Sequence, residues 1–182
     1  MKIGVFVGSF DPVHKGHISI MNYLIDNKIV DKLLVIATGN YWDKQNITDL
    51  NKRIEMLSFI KNDNIIIDTK YNNIPYTYQI LRALNKENPK DEFYLVIGAD
   101  NANTLYKWSH YNEIIKYGII VVKRGNVKIK LNINKLIIID KDFENISSTM
   151  IRNNVDKCKE CLNDKVYNYI KTNNLYSRNK GI

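Results

Sequence analysis

A chain of 182 residues and 21.3 kDa with 45% apolar residues has the size and the apolar content of one domain, expected to span residues 1–182. No apolar run approaches the ~20 residues that cross a bilayer, and Met1 to Val7 enter a strand pattern directly, so the expectation is a soluble, cytoplasmic protein without membrane attachment. A net charge of +8 and a pI near 9.3 attract anions, nucleotides and nucleic acid alike, and the sign alone does not choose between them; with Lys scattered and no arginine-rich block, much of the charge reads as a solvated surface, and no nucleic-acid partner is expected.

Short β-branched apolar runs recur at Ile3 to Val7, Leu33 to Ala37, Ile65 to Ile67, Phe93 to Ile97, Ile119 to Val122 and Leu136 to Ile139. They read as buried strands. Between them, Ile18, Met21, Leu24 and Ile25, then Ile54, Leu57 and Ile60, then Ile80, Leu81 and Leu84 repeat at helical spacing. Two further helices are expected from Ser147 to about Val155 and from Asp164 to about Thr172. Strand alternating with helix predicts an α/β fold, a Rossmann-like open parallel sheet with helices on both faces and right-handed connections. Ligands of such a sheet sit beyond the carboxyl ends of the strands.

Directly after the first strand comes Gly8-Ser9-Phe10-Asp11-Pro12-Val13-His14-Lys15-Gly16-His17. Gly8 allows a sharp turn, Pro12 stiffens the loop, and His14 and His17 open the helix on one side of its first turn. A helix N-terminus is already an anion site, two imidazoles there can donate to phosphate oxygens, and Gly16 is expected to let a phosphate approach the backbone. The plain alternative is that the histidines cap the helix. Gly-Ser-Phe-Asp-Pro-Val-His-Lys-Gly-His resembles the G-x-F-x-P-x-H-x-G-H signature of the nucleotidyltransferase superfamily that includes nicotinate-nucleotide adenylyltransferases. The resemblance implies that His14 and His17 contact the ATP phosphates, His17 stabilising the transition state at the α-phosphoryl group, with the Gly8-Ser9-Phe10 backbone along the nucleotide.

The second strand is followed by Asn40-Tyr41-Trp42-Asp43-Lys44, where that family usually shows Pro-Pro-His-Lys; only Lys44 remains as a phosphate contact. Arg53-Ile54-Glu55-Met56-Leu57 is similar to the helix that follows in the family. Ile74-Pro75-Tyr76-Thr77-Tyr78-Gln79-Ile80-Leu81 resembles its S-Y-T-x-D-T-L segment, departing at Pro75 and Gln79, and makes Thr77 the candidate for a carboxylate on the acceptor through its backbone N–H; a Thr helix cap would use the same geometry. Gly98-Ala99-Asp100, then Leu105 and Trp108, resembles the family's I-G-A-D and L-x-x-W, implying that Asp100 accepts ribose hydroxyls and that Trp108 stacks on nicotinate. As residues alone, Asp100 reads as a helix N-cap and Trp108 as core packing. Ile146-Ser147-Ser148-Thr149-Met150-Ile151-Arg152 looks like the family's I-S-S-T-x-I-R, placing Ser148, Thr149 and Arg152 on the β- and γ-phosphates; the plain reading is a Ser cap and a surface Arg. Val166 to Tyr176 resembles the family's terminal helix, so the likeness covers essentially the whole chain.

Cys158 and Cys161 are three apart in what reads as a solvated helix, and two thiols cannot complete a zinc site, so no metal site and no disulfide are expected. The resemblance implies ATP and nicotinate mononucleotide as substrates and Mg²⁺ carried with ATP. Nicotinamide mononucleotide or another phosphorylated acceptor is one alternative, and a non-catalytic nucleotide- or RNA-binding module another. A homo-oligomer is compatible with the sequence.

Overall fold

The structure, a computed structural model, describes residues 1–40 and 46–177. Six strands, β1 (Lys2–Gly8), β2 (Lys32–Ala37), β3 (Ile65–Ile67), β4 (Glu92–Gly98), β5 (Gly118–Val122) and β6 (Leu136–Ile139), form one parallel sheet in the order β3-β2-β1-β4-β5-β6. The registers run Gly8 against Ala37 and Gly98 against Val122, so the strands end level with one another. After β1 the chain winds outward to β3 and then crosses to β4. The order reverses between β1 and β4, where a crevice opens beyond their carboxyl ends.

Continuous apolar strands are what a sheet covered on both faces demands, and the period-two geometry of a strand divides them between two cores. Leu33, Val35, Ala37, Tyr94, Val96, Ile120 and Val122 pack on one face, while Ile36, Phe93, Leu95, Ile97, Ile119 and Val121 pack on the other. The first face is covered by α1 (Lys15–Asp26), α2 (Leu50–Ser58) and α7 (Asp164–Thr172), through Ile20, Met21 and Leu24, Met56 and Leu57, and Val166 and Ile170. The second is covered chiefly by α3 (Thr77–Glu87), through Ile80, Leu81 and Leu84. Each such side chain, Leu24 and Leu81 at 0% exposure among them, contributes ~1.5–3 kcal/mol by leaving water.

The sequence pattern missed α4 (Ala99–Thr104) and α5 (Tyr111–Ile114), which are too short to show helical periodicity. Together with a 3₁₀ turn at Leu105–Lys107 they carry the chain from β4 to β5. The helix expected from Ser147 is shorter, α6 (Ser148–Asn153). The cysteine segment differs from expectation: Asp156–Cys161 is a 3₁₀ turn kinked at Cys158, and Cys158 is buried in the first core instead of lying on a solvated helix. Its three-residue repeat turns Cys158 inward beside Ile151 and Leu162. Among the described residues no helix is long and apolar enough to cross a membrane.

At the start of β5, a Cβ on Gly118 would lie 2.1 Å from the Tyr94 ring, which is itself packed in the first core. Gly118→Ala is therefore expected to destabilise the fold by ~1–3 kcal/mol through overpacking. Gly98→Ala, where nothing lies within 4 Å, is expected to be near neutral for stability. Urea denaturation of both variants checks the contrast.

Candidate active site

The loop from β1 to α1 is built around Phe10, whose backbone takes a left-handed φ of 47°. Such a conformation costs of order 1–3 kcal/mol outside glycine and persists where packing holds it. Here the Phe10 ring meets Phe6 edge-on at 5.3 Å and His17 at 5.0 Å. His14 is the N-cap of α1 and His17 its third residue, and the two form a reciprocal cap. The His17 backbone N–H donates to His14 Nδ1 at 3.3 Å, the His14 N–H donates to His17 Nδ1 at 3.2 Å, and the rings stack with centroids 3.7 Å apart.

Capping and phosphate binding are therefore not rivals at these histidines. With both Nδ1 atoms accepting, each neutral ring carries its proton on Nε2 and keeps one N–H donor there. Burial, joined by the charge of Arg124, pushes His14 down to about 4. Burial, then His14, then Arg124 hold His17 well below its usual range. At Gly16 a Cβ would come within 2.9 Å of the His14 ring and 3.4 Å of the Glu144 carbonyl, so the missing side chain makes room for the imidazole.

Beneath this loop lies Arg53, at 0% exposure. Its Nε donates to the Thr48 carbonyl at 2.7 Å, Nη1 to the carbonyls of Ser9 (2.9 Å) and Thr38 (2.7 Å), and Nη2 to Asn40 Oδ1 at 2.8 Å. Asp11, also buried, accepts the Thr48 N–H and the Tyr176 hydroxyl on its two carboxylate oxygens. Burial and then the Asp11 charge hold the Tyr176 phenol far above its usual range, so it stays a donor. From the far end of the chain, Ser148 Oγ donates to the Pro12 carbonyl at 2.9 Å, and Arg152 donates to the Asp11 carbonyl at 2.9 Å and to Thr149 Oγ1 at 3.1 Å. Ser147 is the cap of α6, accepting from the Met150 N–H.

Two cavities open at the carboxyl ends of β1 and β4. The larger, about 590 Å³, is lined by Thr38, Tyr76, Thr77, Asn101, Trp108 and Ser109 together with Gly8, Ser9 and Gly98. The smaller, about 200 Å³, is lined by His17, Phe10 and Arg124 and shares Gly8, Ser9 and Gly98 with the first. The residues nominated from the sequence thus divide into groups. Gly8, Ser9, Phe10, His17, Gly98, Thr77 and Trp108 line a cavity, and His14 stacks behind His17. Ser148, Thr149 and Arg152 brace the Asp11-Pro12 turn beside the histidines. Asp100 stands exposed in the first turn of α4, with its neighbour Asn101 on the cavity wall instead. Gly98, not Asp100, is the cap of α4, and the cap of α3 is Tyr76, so Thr77 is its first helical residue. Lys44 lies outside the described residues.

Residues the sequence reading passed over include Arg124, Thr38, Asn101 and Ser109, all on a cavity wall. The Thr38 hydroxyl oxygen is buried without a hydrogen-bond partner among the described residues. The signal that could have found Thr38 and Arg124 is position alone, since each follows the carboxyl end of a strand by one or two residues.

The chain matches the model of the cytidylyltransferase-like family over residues 5–154. A Flavobacterium johnsoniae protein named probable nicotinate-nucleotide adenylyltransferase is 32% identical over 98% of this chain and 100% of its own length. One of the same name from Endomicrobium trichonymphae is 36% identical over 96% of this chain and 98% of its own. Among solved structures, the nicotinic acid mononucleotide adenylyltransferase of Plasmodium falciparum in complex with NaAD superposes with a TM-score of 0.81 at 22% identity, covering 96% of this chain and 97% of that one, a likeness of fold.

The buried, neutral His14 has a consequence for stability. A depressed folded pKa means that the unfolded chain takes up a proton first, as pH falls below the ordinary 6.5, while the folded ring resists until about 4. Stability is thus fully present above pH 6.5 and drains away between 6.5 and about 4. His14→Asn, whose side-chain oxygen can still accept the His17 N–H, is expected to flatten this part of the urea-midpoint profile. Identical slopes for the variant and the parent chain would contradict a buried neutral imidazole.

Proposed function

The chain belongs to the cytidylyltransferase-like family and, within it, to the nicotinate-nucleotide adenylyltransferases, and from that membership we propose that it transfers AMP from ATP to nicotinate mononucleotide, forming nicotinate adenine dinucleotide and pyrophosphate in NAD biosynthesis. One observation carries the assignment of residues: the histidine cavity and the larger cavity meet over Gly8, Ser9 and Gly98. A nucleotide phosphate in the first and a phosphorylated acceptor in the second would face each other across backbone with little side chain between them.

In this reading a 5′-phosphate oxygen of the acceptor attacks the α-phosphorus of ATP, the new P–O bond forming as the bond to the β-phosphate bridging oxygen breaks and pyrophosphate leaves. No covalent enzyme intermediate is involved. The chain's contribution is to align two anions that repel one another and to place donors where charge develops. His17 donates from Nε2 to the α-phosphoryl oxygens, with His14 beside it. Ser148, Thr149 and Arg152 hold the β- and γ-phosphates, the two N–H contacts that Arg152 already makes leaving the rest of its fork for phosphate. Asp100, exposed in the first turn of α4, is assigned to a ribose hydroxyl. Mg²⁺ enters as part of the nucleotide co-substrate, supplying charge to the phosphates. Among the described residues no three His, Cys, Asp or Glu side chains converge, so the ion would be held by ATP oxygens and water, as this ion commonly is.

Trp108 and Thr77 share the wall of the larger cavity, with the first N–H groups of α3 at Thr77. An indole face stacks on a pyridine ring whether it carries an acid or an amide, whereas helix N–H groups favour a carboxylate. The acid acceptor is accordingly preferred over nicotinamide mononucleotide.

Two measurements test the reading. Pyrophosphate release is expected with nicotinate mononucleotide, at a kcat/KM at least about tenfold above that for the amide, or ~1.4 kcal/mol. Equal values would reject this account of selectivity and leave adenylyl transfer standing. His17→Ala is expected to lower kcat by at least about a hundredfold, the scale of one transition-state donor. Near-parental turnover would remove His17 from the chemistry.

A further inference from the structure

Two walls of the larger cavity, the first N–H groups of α3 at Thr77 and the indole of Trp108, are those given above to the acceptor's pyridine ring. They come from different parts of the chain, α3 following β3 and Trp108 following β4. A flat ring stacks on an indole only at van der Waals separation, so the spacing of these walls bears directly on acceptor binding.

Two pairs of side chains join the walls, and none of the four residues lines the cavity itself. Tyr78 follows Thr77 on α3, and His110 follows Trp108 by two residues. Their rings stack with centroids 3.8 Å apart and planes 21° from parallel. One turn further along α3, Arg82 lies over the Tyr78 ring at 5.2 Å and forks onto Glu113 of α5, Nε donating to Oε1 at 2.8 Å and Nη2 to Oε2 at 2.6 Å. A bidentate pair of this kind fixes orientation as well as distance.

The His110 backbone is held in the left-handed region, at φ 57°, and caps α5 with no help from its side chain. A non-glycine residue keeps such a conformation where its surroundings impose it. Here the Tyr111 N–H donates to the Trp108 carbonyl at 3.2 Å, and the Glu113 and Ile114 N–H groups donate to the His110 carbonyl. Ser109 Oγ lies 2.9 Å from His110 Nδ1. The turn therefore carries Trp108 and His110 as one piece, and setting the imidazole against Tyr78 sets the indole against the start of α3.

We infer that Tyr78 and His110, backed by Arg82 and Glu113, are positioning residues whose stack fixes the separation of Trp108 from the α3 N-terminus and so orients the pyridine ring of the acceptor. The inference rests on the adenylyl-transfer reading given above. The competing role is a direct contact between His110 and the acceptor, in which Tyr78 would take no part.

The test is steady-state pyrophosphate release by the full chain with ATP and nicotinate mononucleotide, comparing the parent with Tyr78→Phe, Tyr78→Leu, His110→Gly and the double variant Tyr78→Leu/His110→Gly, each first checked for folding by thermal melting. His110→Gly is expected to fold because glycine takes a left-handed φ freely, and Tyr78→Leu because it keeps apolar bulk on α3. Each single variant is expected to raise the KM for nicotinate mononucleotide about tenfold, with the KM for ATP within about twofold and kcat within about threefold of the parent, a split that general damage to the fold would not give. Tyr78→Phe, which keeps the flat ring, is expected to stay within about twofold of the parent. The double variant is expected to lose no more than about twofold beyond either single one, since the stack is already broken. An acceptor KM within about twofold of the parent in His110→Gly or Tyr78→Leu, an equal rise in the KM for ATP, a Tyr78→Phe as impaired as Tyr78→Leu, or losses that multiply in the double variant would each overturn the inference. A parent chain that releases no pyrophosphate would instead overturn the adenylyl-transfer reading.

Discussion

A guanidinium buried beneath the carboxyl ends of β1 and β2 is the constraint on which the rest of the site depends. Taking such a cation out of water costs several kcal/mol, and it is tolerable only where its donors are met. Arg53 meets acceptors from Ser9, Thr38, Asn40 and Thr48, which belong to the turn after β1, the turn after β2 and the approach to α2. None of these segments can move away without leaving a buried charge short of acceptors. The walls of both cavities include residues pinned in this way, Ser9 in each and Thr38 in the larger.

A second tier ties distant sequence to the same loop. Tyr176 reaches one carboxylate oxygen of Asp11, Thr48 the other, and Arg152 the Asp11 carbonyl, while Ser148 holds Pro12. Residues that family resemblance marks as phosphate ligands therefore also brace the backbone that carries His14. The two roles share a cause, since a phosphate-binding loop must be held rigidly and the groups nearest to it are the donors already gathered there.

Charge is apportioned in the site by burial. Burial holds His14 and His17 below their usual range, and their mutual cap commits both Nδ1 atoms, leaving the Nε2–H of each neutral ring as its donor. Full positive charge stays at the exposed margin, on Arg124, and beside the Asp11 turn, on Arg152. Neutral donors beneath and cations at the rim suit a polyanion that must be drawn in and later released as two products.

Much of this was legible in the sequence. The six strands fall where apolar runs predicted, because a sheet covered on both faces demands uninterrupted β-branched residues. The histidine loop was legible too, since its chemistry is confined to ten consecutive residues, Gly8 to His17. What the sequence could not decide was which side chains meet across long separations. Asp11 and Tyr176 lie 165 positions apart, and Ser9 and Arg53 lie 44 apart. Local pattern carries no record of such pairs, and Arg53, Asn101 and Arg124 read there as ordinary polar residues. Nor could local pattern show that the missing Cβ of Gly16 makes room for the His14 ring, a packing that exists only once the loop has closed onto α1. Residue order determined the elements and the chemistry within one turn; the sheet, by bringing the ends of β1, β2, β4 and β5 level, decided which residues share a cavity.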